Sequence, residues 1–253
     1  MNTVHVKNIT IGEGIPKICV PIVAPSGDAI LKEARRFAEL PVDLVEWRLD
    51  WFDGRFDLDE TRRLLAGLRE ALGDKPLLAT FRTFAEGGAC EKTGPEHYEN
   101  LVRSAVDSGC ADLVDVELAA GAGFLAGLIP HAHDRGVKVI LSHHNFSRTP
   151  ELTAMLDILA RMEQSGGDIL KIAVMPQSPE DVLTLLSATS QARTRFTRPV
   201  VTMSMAGMGV ISRLSGEIFG SALTFGSAGQ ASAPGQIGVE ELRGVLELLH
   251  KSL

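Results

Sequence analysis

Cysteine is scarce. Cys19, Cys90 and Cys110 are the only three, an odd number with no CxxC spacing, which argues against a disulfide framework or a clustered zinc site and points to a reducing compartment. No run of lysine or arginine stands out, and the formal net charge is −7. Nucleic acid and anionic membranes are therefore poor general partners. A small anion remains open as a ligand, provided that arginines gather locally to meet it. No basic-then-apolar signal pattern opens the chain and no apolar stretch is long enough to span a bilayer, so a cytoplasmic protein is expected. No GxGxxG follows the first apolar strand, which lowers the odds of a dinucleotide fold. No linker or low-complexity segment marks a boundary, so residues 1–253 are expected to form one domain.

What is present is a repeat. The 253 residues, 45% hydrophobic and 23% charged, can bury a full core without staples. Val4–Ile11 alternates and reads as a short hairpin or edge strand. Apolar strand-like runs then fall at Ile18–Val23, Leu44–Leu49, Leu77–Phe81, Leu113–Leu118, Val137–Ser142, Ile169–Val174, Val200–Met205 and Leu223–Gly226. Helix-like stretches separate them: Asp28–Glu39, Leu58–Leu72, Glu96–Ser108, Phe124–Arg135, Glu151–Ser165, Pro179–Arg193, the shorter Val210–Phe219, and Val239–Leu249 at the end. Strands alternating with helices imply right-handed βαβ units and a parallel sheet. Eight such units favour a closed (β/α)8 TIM barrel over an open sheet.

In such a barrel the chemistry sits at the C-terminal ends of the strands, and the polar residues here gather there. Alternate side chains of a strand face opposite ways. That count sends Lys171 inward with Ile169 and Ala173, Glu46 and Arg48 inward on the second run, and Arg82 inward with Thr80 on the third. On the fifth it selects His144 rather than His143. Burial disfavours an ammonium ion, so an inward lysine can become a neutral amine that attacks a ketone to form an imine. A histidine is the expected base for the proton made acidic by that imine, and Glu86 is placed to orient it. Arginines suit a carboxylate or phosphate. Plainer readings stand beside these. Lys171 could pair with Asp115 or Glu117, Glu46 and Arg48 could be a simple ion pair, and Met203 and Met205 could fill the barrel. His143 reads as a loop residue, and His131 and His133 as surface groups near a helix C-terminus.

The stretches Glu46-Trp47-Arg48, Phe81-Arg82 with Glu86-Gly87-Gly88, Ser142-His143-His144-Asn145-Phe146, Leu170-Lys171-Ile172-Ala173, Met203-Ser204-Met205-Ala206, Ser212-Arg213, Phe219-Gly220-Ser221, Thr224-Phe225-Gly226 and Ser232-Ala233-Pro234-Gly235-Gln236 together resemble the type I 3-dehydroquinate dehydratases along nearly the whole chain. The resemblance implies a barrel whose N-terminal hairpin closes the bottom. It also implies loss of water from 3-dehydroquinate to give 3-dehydroshikimate in the shikimate pathway, a homodimer, and no metal or redox cofactor. Lys171 matches the imine-forming lysine, His144 the proton-transferring histidine and Glu86 its supporting carboxylate. Arg213 matches the group that binds the substrate carboxylate. Glu46, Arg48, Arg82, Ser232 and Gln236 match positions that hold hydroxyls and close the site, and Phe225 packs over the ring. Pro21, Asn145 and Gly207-Met208-Gly209 depart from the family pattern. The rival readings are a class I aldolase, which would need a glycine-rich phosphate pocket near Gly226 and Gly229, a non-catalytic barrel that binds a small acid, and a metal hydrolase.

Overall fold

The computed structural model describes residues 3–91, 93–229 and 232–253. Its eight inner strands are β3 (Lys17–Ile22), β4 (Leu44–Arg48), β5 (Leu77–Thr80), β6 (Leu113–Glu117), β7 (Lys138–Asn145), β8 (Ile169–Val174), β9 (Val200–Ser204) and β10 (Leu223–Ser227). Each is parallel to its neighbours in the order β10-β3-β4-β5-β6-β7-β8-β9. A parallel bridge between Val200 and Ser221, with the Ala222 N–H donating to the Val200 carbonyl at 2.8 Å, brings the last strand back to β9 and closes the ring. A short β11 (Ile237–Gly238) adds to the end of β10.

The helices fall where the apolar periodicity places them: α1 (Gly27–Ala38), α2 (Leu58–Leu72), α3 (Pro95–Asp107), α4 (Ala122–Asp134), α5 (Leu152–Gln164), α6 (Pro179–Arg195), α7 (Val210–Leu214), α8 (Gly216–Phe219) and α9 (Val239–His250). Their starts carry local signals. Asp57 accepts the Asp59 and Glu60 N–H groups at the head of α2, and Ser178 with Asp181 forms a reciprocal capping box before α6, which has Pro179 in its first turn. The single helix expected over 210–219 is two short ones, broken at Ser215. The fifth strand runs to Asn145, three residues past its expected end. No helix among the described residues is long and apolar enough to cross a membrane.

The strands are buried on both faces, and side-chain parity sorts them into two cores. Val20, Ile22, Val45, Trp47, Ala79, Val116, Leu141, Leu170 and Ile172 pack outward against the helices. Cys19, Leu44, Leu78, Leu113, Ile140, Ile169, Val201 and Leu223 point inward and form the barrel floor. The hairpin of β1 (Val4–Val6) and β2 (Ile9–Ile11) sets Val4, Val6 and Ile11 against that same floor. The N-terminal end is thereby plugged, and the polar inward positions lie above the floor toward the other end.

Candidate active site

All ten residues singled out from the sequence line one cavity of about 40 Å³ at the C-terminal end of the barrel: Glu46, Arg48, Arg82, Glu86, His144, Lys171, Arg213, Phe225, Ser232 and Gln236. Lys171 sits mid-strand on β8 and is 4% exposed. Its ammonium donates to Asp115 Oδ2 at 2.9 Å and lies 4.6 Å from the centre of the Phe225 ring. Burial is met as expected, but isolation is not, because the amine has a counter-ion. Asp115 is the partner that the plainer reading of this lysine named. Burial would raise the Asp115 carboxyl, yet the charges of Arg82 and Lys171 outweigh it and hold the group well below the usual carboxylate range.

Glu86 reaches the cavity from a single turn, Phe84–Glu86, that follows β5. Two glycines let this turn fold back on the strand. Gly87 has φ 82, and a Cβ on Gly88 would lie 1.9 Å from the Arg82 carbonyl oxygen. Glu86 Oε2 accepts the His144 backbone N–H at 3.0 Å and faces His144 Nδ1 at 2.9 Å. Its other oxygen lies 3.6 Å from His143 Nδ1. Burial pushes the Glu86 carboxyl up, but the close approach of His143, the hydrogen bonds from His144 and the charge of Arg82 prevail and bring it to about 2. Burial, with the nearby charges of Arg82 and Lys171, pushes His144 down to about 3 against the opposing pull of Glu86. The ring is thus neutral near pH 7. A carboxylate only accepts, so the ring proton sits on Nδ1 and the Nε2 lone pair is left for the cavity.

The arginines divide by partner. Arg82, 3% exposed, is bound to Asp115 at 2.7 Å, Glu117 at 3.0 Å and the Ser142 hydroxyl at 3.0 Å, with Glu86 at 3.6 Å. Burial opposes its charge, but these carboxylates raise its pKa well above the ordinary value. Arg48 does not pair with Glu46. It grips Asp50 with two bonds of 2.7 Å, while Glu46 accepts from the Thr80 hydroxyl at 2.8 Å. Arg213 is different. It is 2% exposed, and burial lowers it to about 10, so it stays cationic at neutral pH. Its contacts are the carbonyls of Phe225 at 3.5 Å and Pro234 at 3.1 Å and the Met203 sulfur at 3.9 Å, and its Nε has no partner. No carboxylate among the described residues pairs with it. A buried cation without a counter-ion is the feature that a ligand anion would satisfy.

Gln236 and Ser232 bond to each other, Oε1 accepting the Ser232 N–H at 2.9 Å and Nε2 donating to its hydroxyl at 3.1 Å. Met203, Met205 and Ala173 supply apolar wall. Asp50 escaped the sequence reading. It lies just past β4 on the Leu49–Trp51 turn and also accepts the N–H groups of Arg82 at 3.3 Å and Ala89 at 2.9 Å. Its signal was there, since it continues the inward parity of Glu46 and Arg48. Gly226, once a candidate for a phosphate pocket, has a packing reason instead: a Cβ there would meet Val239 at 2.8 Å.

A closed parallel barrel with a buried lysine, a neutral histidine and an unmatched arginine around one cavity defines a barrel enzyme for small anionic substrates. The comparisons carry this further. The family model of type I 3-dehydroquinase matches residues 18–253, and the chain belongs to that family. It is 49% identical to the 3-dehydroquinate dehydratase of Clostridioides difficile (strain 630), over 99% of this chain and 98% of that protein. It is 50% identical to the 3-dehydroquinate dehydratase of Listeria monocytogenes serotype 4b (strain F2365), over 99% of both. Among solved structures, the type I 3-dehydroquinate dehydratase from Clostridium difficile with covalently modified comenic acid superposes with a TM-score of 0.96 at 48% identity, covering 100% of this chain and 99% of that one. The Geobacillus kaustophilus HTA426 enzyme superposes with a TM-score of 0.96 at 40% identity, covering 99% and 97%. By these findings the chain is a hydro-lyase of the 3-dehydroquinate dehydratase class.

Proposed function

We propose that the dehydration runs through an imine on Lys171, with His144 moving the protons. The observation that carries it is one cavity holding the buried Lys171 amine and a neutral His144 locked by Glu86. The amine adds to the C3 ketone of 3-dehydroquinate and water leaves, giving a protonated imine. Asp115 and the face of Phe225, already against the nitrogen, stabilise that cation. His144 Nε2 takes a proton from C2, and the electron pair flows into the imine to make an enamine. The enamine expels the C1 hydroxyl as His144 returns the proton, so water departs and the imine re-forms. Hydrolysis releases 3-dehydroshikimate and the lysine. Arg213 binds the substrate carboxylate, and Glu46, Arg48, Arg82, Ser232 and Gln236 hold the hydroxyls and close the site. That a relative contains covalently modified comenic acid accords with covalent chemistry in this family.

The same reading makes residues 1–253 one catalytic domain of a cytoplasmic homodimer in the shikimate pathway. Borohydride added with 3-dehydroquinate is expected to trap an adduct on Lys171, read by peptide mass spectrometry. An unmodified Lys171, or a Lys171→Ala variant that turns over near the wild-type rate, removes the mechanism.

A further inference from the structure

Ser232 and Ala233, with Gln236, line one side of the cavity. Besides the two bonds between Ser232 and Gln236, three hydrogen bonds tie residues 232–235 to the rest of the barrel among the described residues. Arg48 Nη1 donates to the Ser232 carbonyl at 3.5 Å, and Arg213 Nη2 and the Ala206 N–H both donate to the Pro234 carbonyl, at 3.1 and 3.2 Å.

Ala206 is unusual. It follows Met205 at the end of β9 and has φ 57 and ψ 179, a region that side-chain-bearing residues rarely enter. Such strain persists only where the surroundings impose it. Here they are visible. The Ala206 carbonyl accepts the Gly209 N–H at 3.3 Å while its own N–H is held by Pro234. Against the same peptide lies Gly235, with φ +79. A Cβ on Gly235 would fall 2.3 Å from the Ala206 oxygen, 2.6 Å from its carbonyl carbon and 3.0 Å from its Cα. Two backbones therefore meet with no side chain between them, one strained to present its N–H and the other bare to allow the approach. The carbonyl they share is also the one that Arg213 uses.

We propose that Ala206 and Gly235 are a matched pair of positioning residues that set how firmly the 232–236 segment closes on the cavity, and through it the affinity for substrate. Neither touches the reacting atoms. This role rests on the dehydratase reading, since the affinity in question is that for 3-dehydroquinate. Gly235→Ala and Ala206→Val each disfavour the close approach, the first by contact and the second because a β-branched residue resists positive φ. Each is expected to raise KM for 3-dehydroquinate by about tenfold or more while kcat changes far less. Ala206→Gly adopts the same backbone without strain and should keep KM at or below the wild-type value. A wild-type KM in a folded Gly235→Ala or Ala206→Val variant, or a loss confined to kcat, overturns the proposal. Amide exchange on the unmutated protein decides the matter if those variants do not fold. The Ala206 amide should be protected and exchange more slowly with 3-dehydroquinate bound, whereas free exchange, or exchange unaltered by substrate, also overturns it. Absence of turnover by the unmutated enzyme would instead sink the dehydratase reading, so the two failures are distinct.

Discussion

His144 is the residue whose environment makes the sharpest kinetic claim. Burial first, then Arg82 and Lys171, hold it near 3, so the imidazole proposed as the base stays neutral well below the ordinary histidine range. The acid limb of kcat/KM is therefore expected well under pH 6, and an inflection at 6.5 would contradict the assignment. Glu86 pulls the other way, so Glu86→Gln should move that limb further toward acid while lowering kcat through loss of the fixed tautomer. His144→Ala should cut turnover by roughly 10²–10⁴-fold, with His143→Ala much milder. Arg213→Ala should act mainly on KM. The choice between the two histidines was legible in the sequence because a strand has period two, and the count survives as long as the strand stays regular, which β7 does through Asn145. The pairing of Lys171 with Asp115 could be suspected but not decided. It joins β8 to β6 across β7, and that depends on the stagger of strands around a closed ring, which no single segment encodes.

Strand ends and the turns after them show a second kind of legibility. The apolar runs located all eight inner strands because each is buried on both sides. They said little about the turns at the strand ends, where polar contacts rather than hydrophobic period decide the path. Asp50 is the clearest case. One side chain joins the end of β4, through Arg48, to the end of β5, through the Arg82 N–H, and to Ala89 just beyond the Glu86 turn. Burial would raise its carboxyl, but the bonds from Arg48 and from the two backbone N–H groups keep it low. Asp50→Ala removes the carboxylate hydrogen-bonded to the buried Arg48 guanidinium and leaves it only the more distant charge of Glu46, a loss that reaches about 3–5 kcal/mol where no counter-charge remains. The variant should unfold at distinctly lower urea concentration and show a raised KM. Equal urea midpoints for variant and wild type would mean that Arg48 finds another partner. Ser178→Ala, by contrast, removes only the capping box of α6 and should cost about 1 kcal/mol with KM unchanged, because that helix start contributes nothing to the cavity lining.

The barrel as a unit binds its protons in an uneven way, and this sets its stability in acid. His144 is depressed when folded, so as pH falls below 6.5 the unfolded chain takes up a proton that the folded one refuses. Stability is lost from there down toward pH 3. Glu86 and Asp115 are depressed carboxylates, so the stability they contribute is present above their ordinary values of 4.5 and 3.8 and is lost as pH drops through that range. Glu117 runs the opposite way, raised by burial, and offsets part of the later loss. Between about pH 6 and 5 His97, which burial also depresses, adds to the loss and Glu117, raised above 4.5, opposes it, so the His144 share, up to one unmatched proton or about 1.4 kcal/mol per pH unit, is the difference between the wild type and a variant without that imidazole. Unfolding free energies measured by urea titration should fall more steeply with acid for the wild type than for His144→Gln from about pH 6 downward, with the two curves running parallel only below about pH 3, where both states of the histidine are protonated. The same slope in both proteins between pH 6 and 5 would place the proton on some other group and would remove the ground for treating His144 as neutral in the resting enzyme.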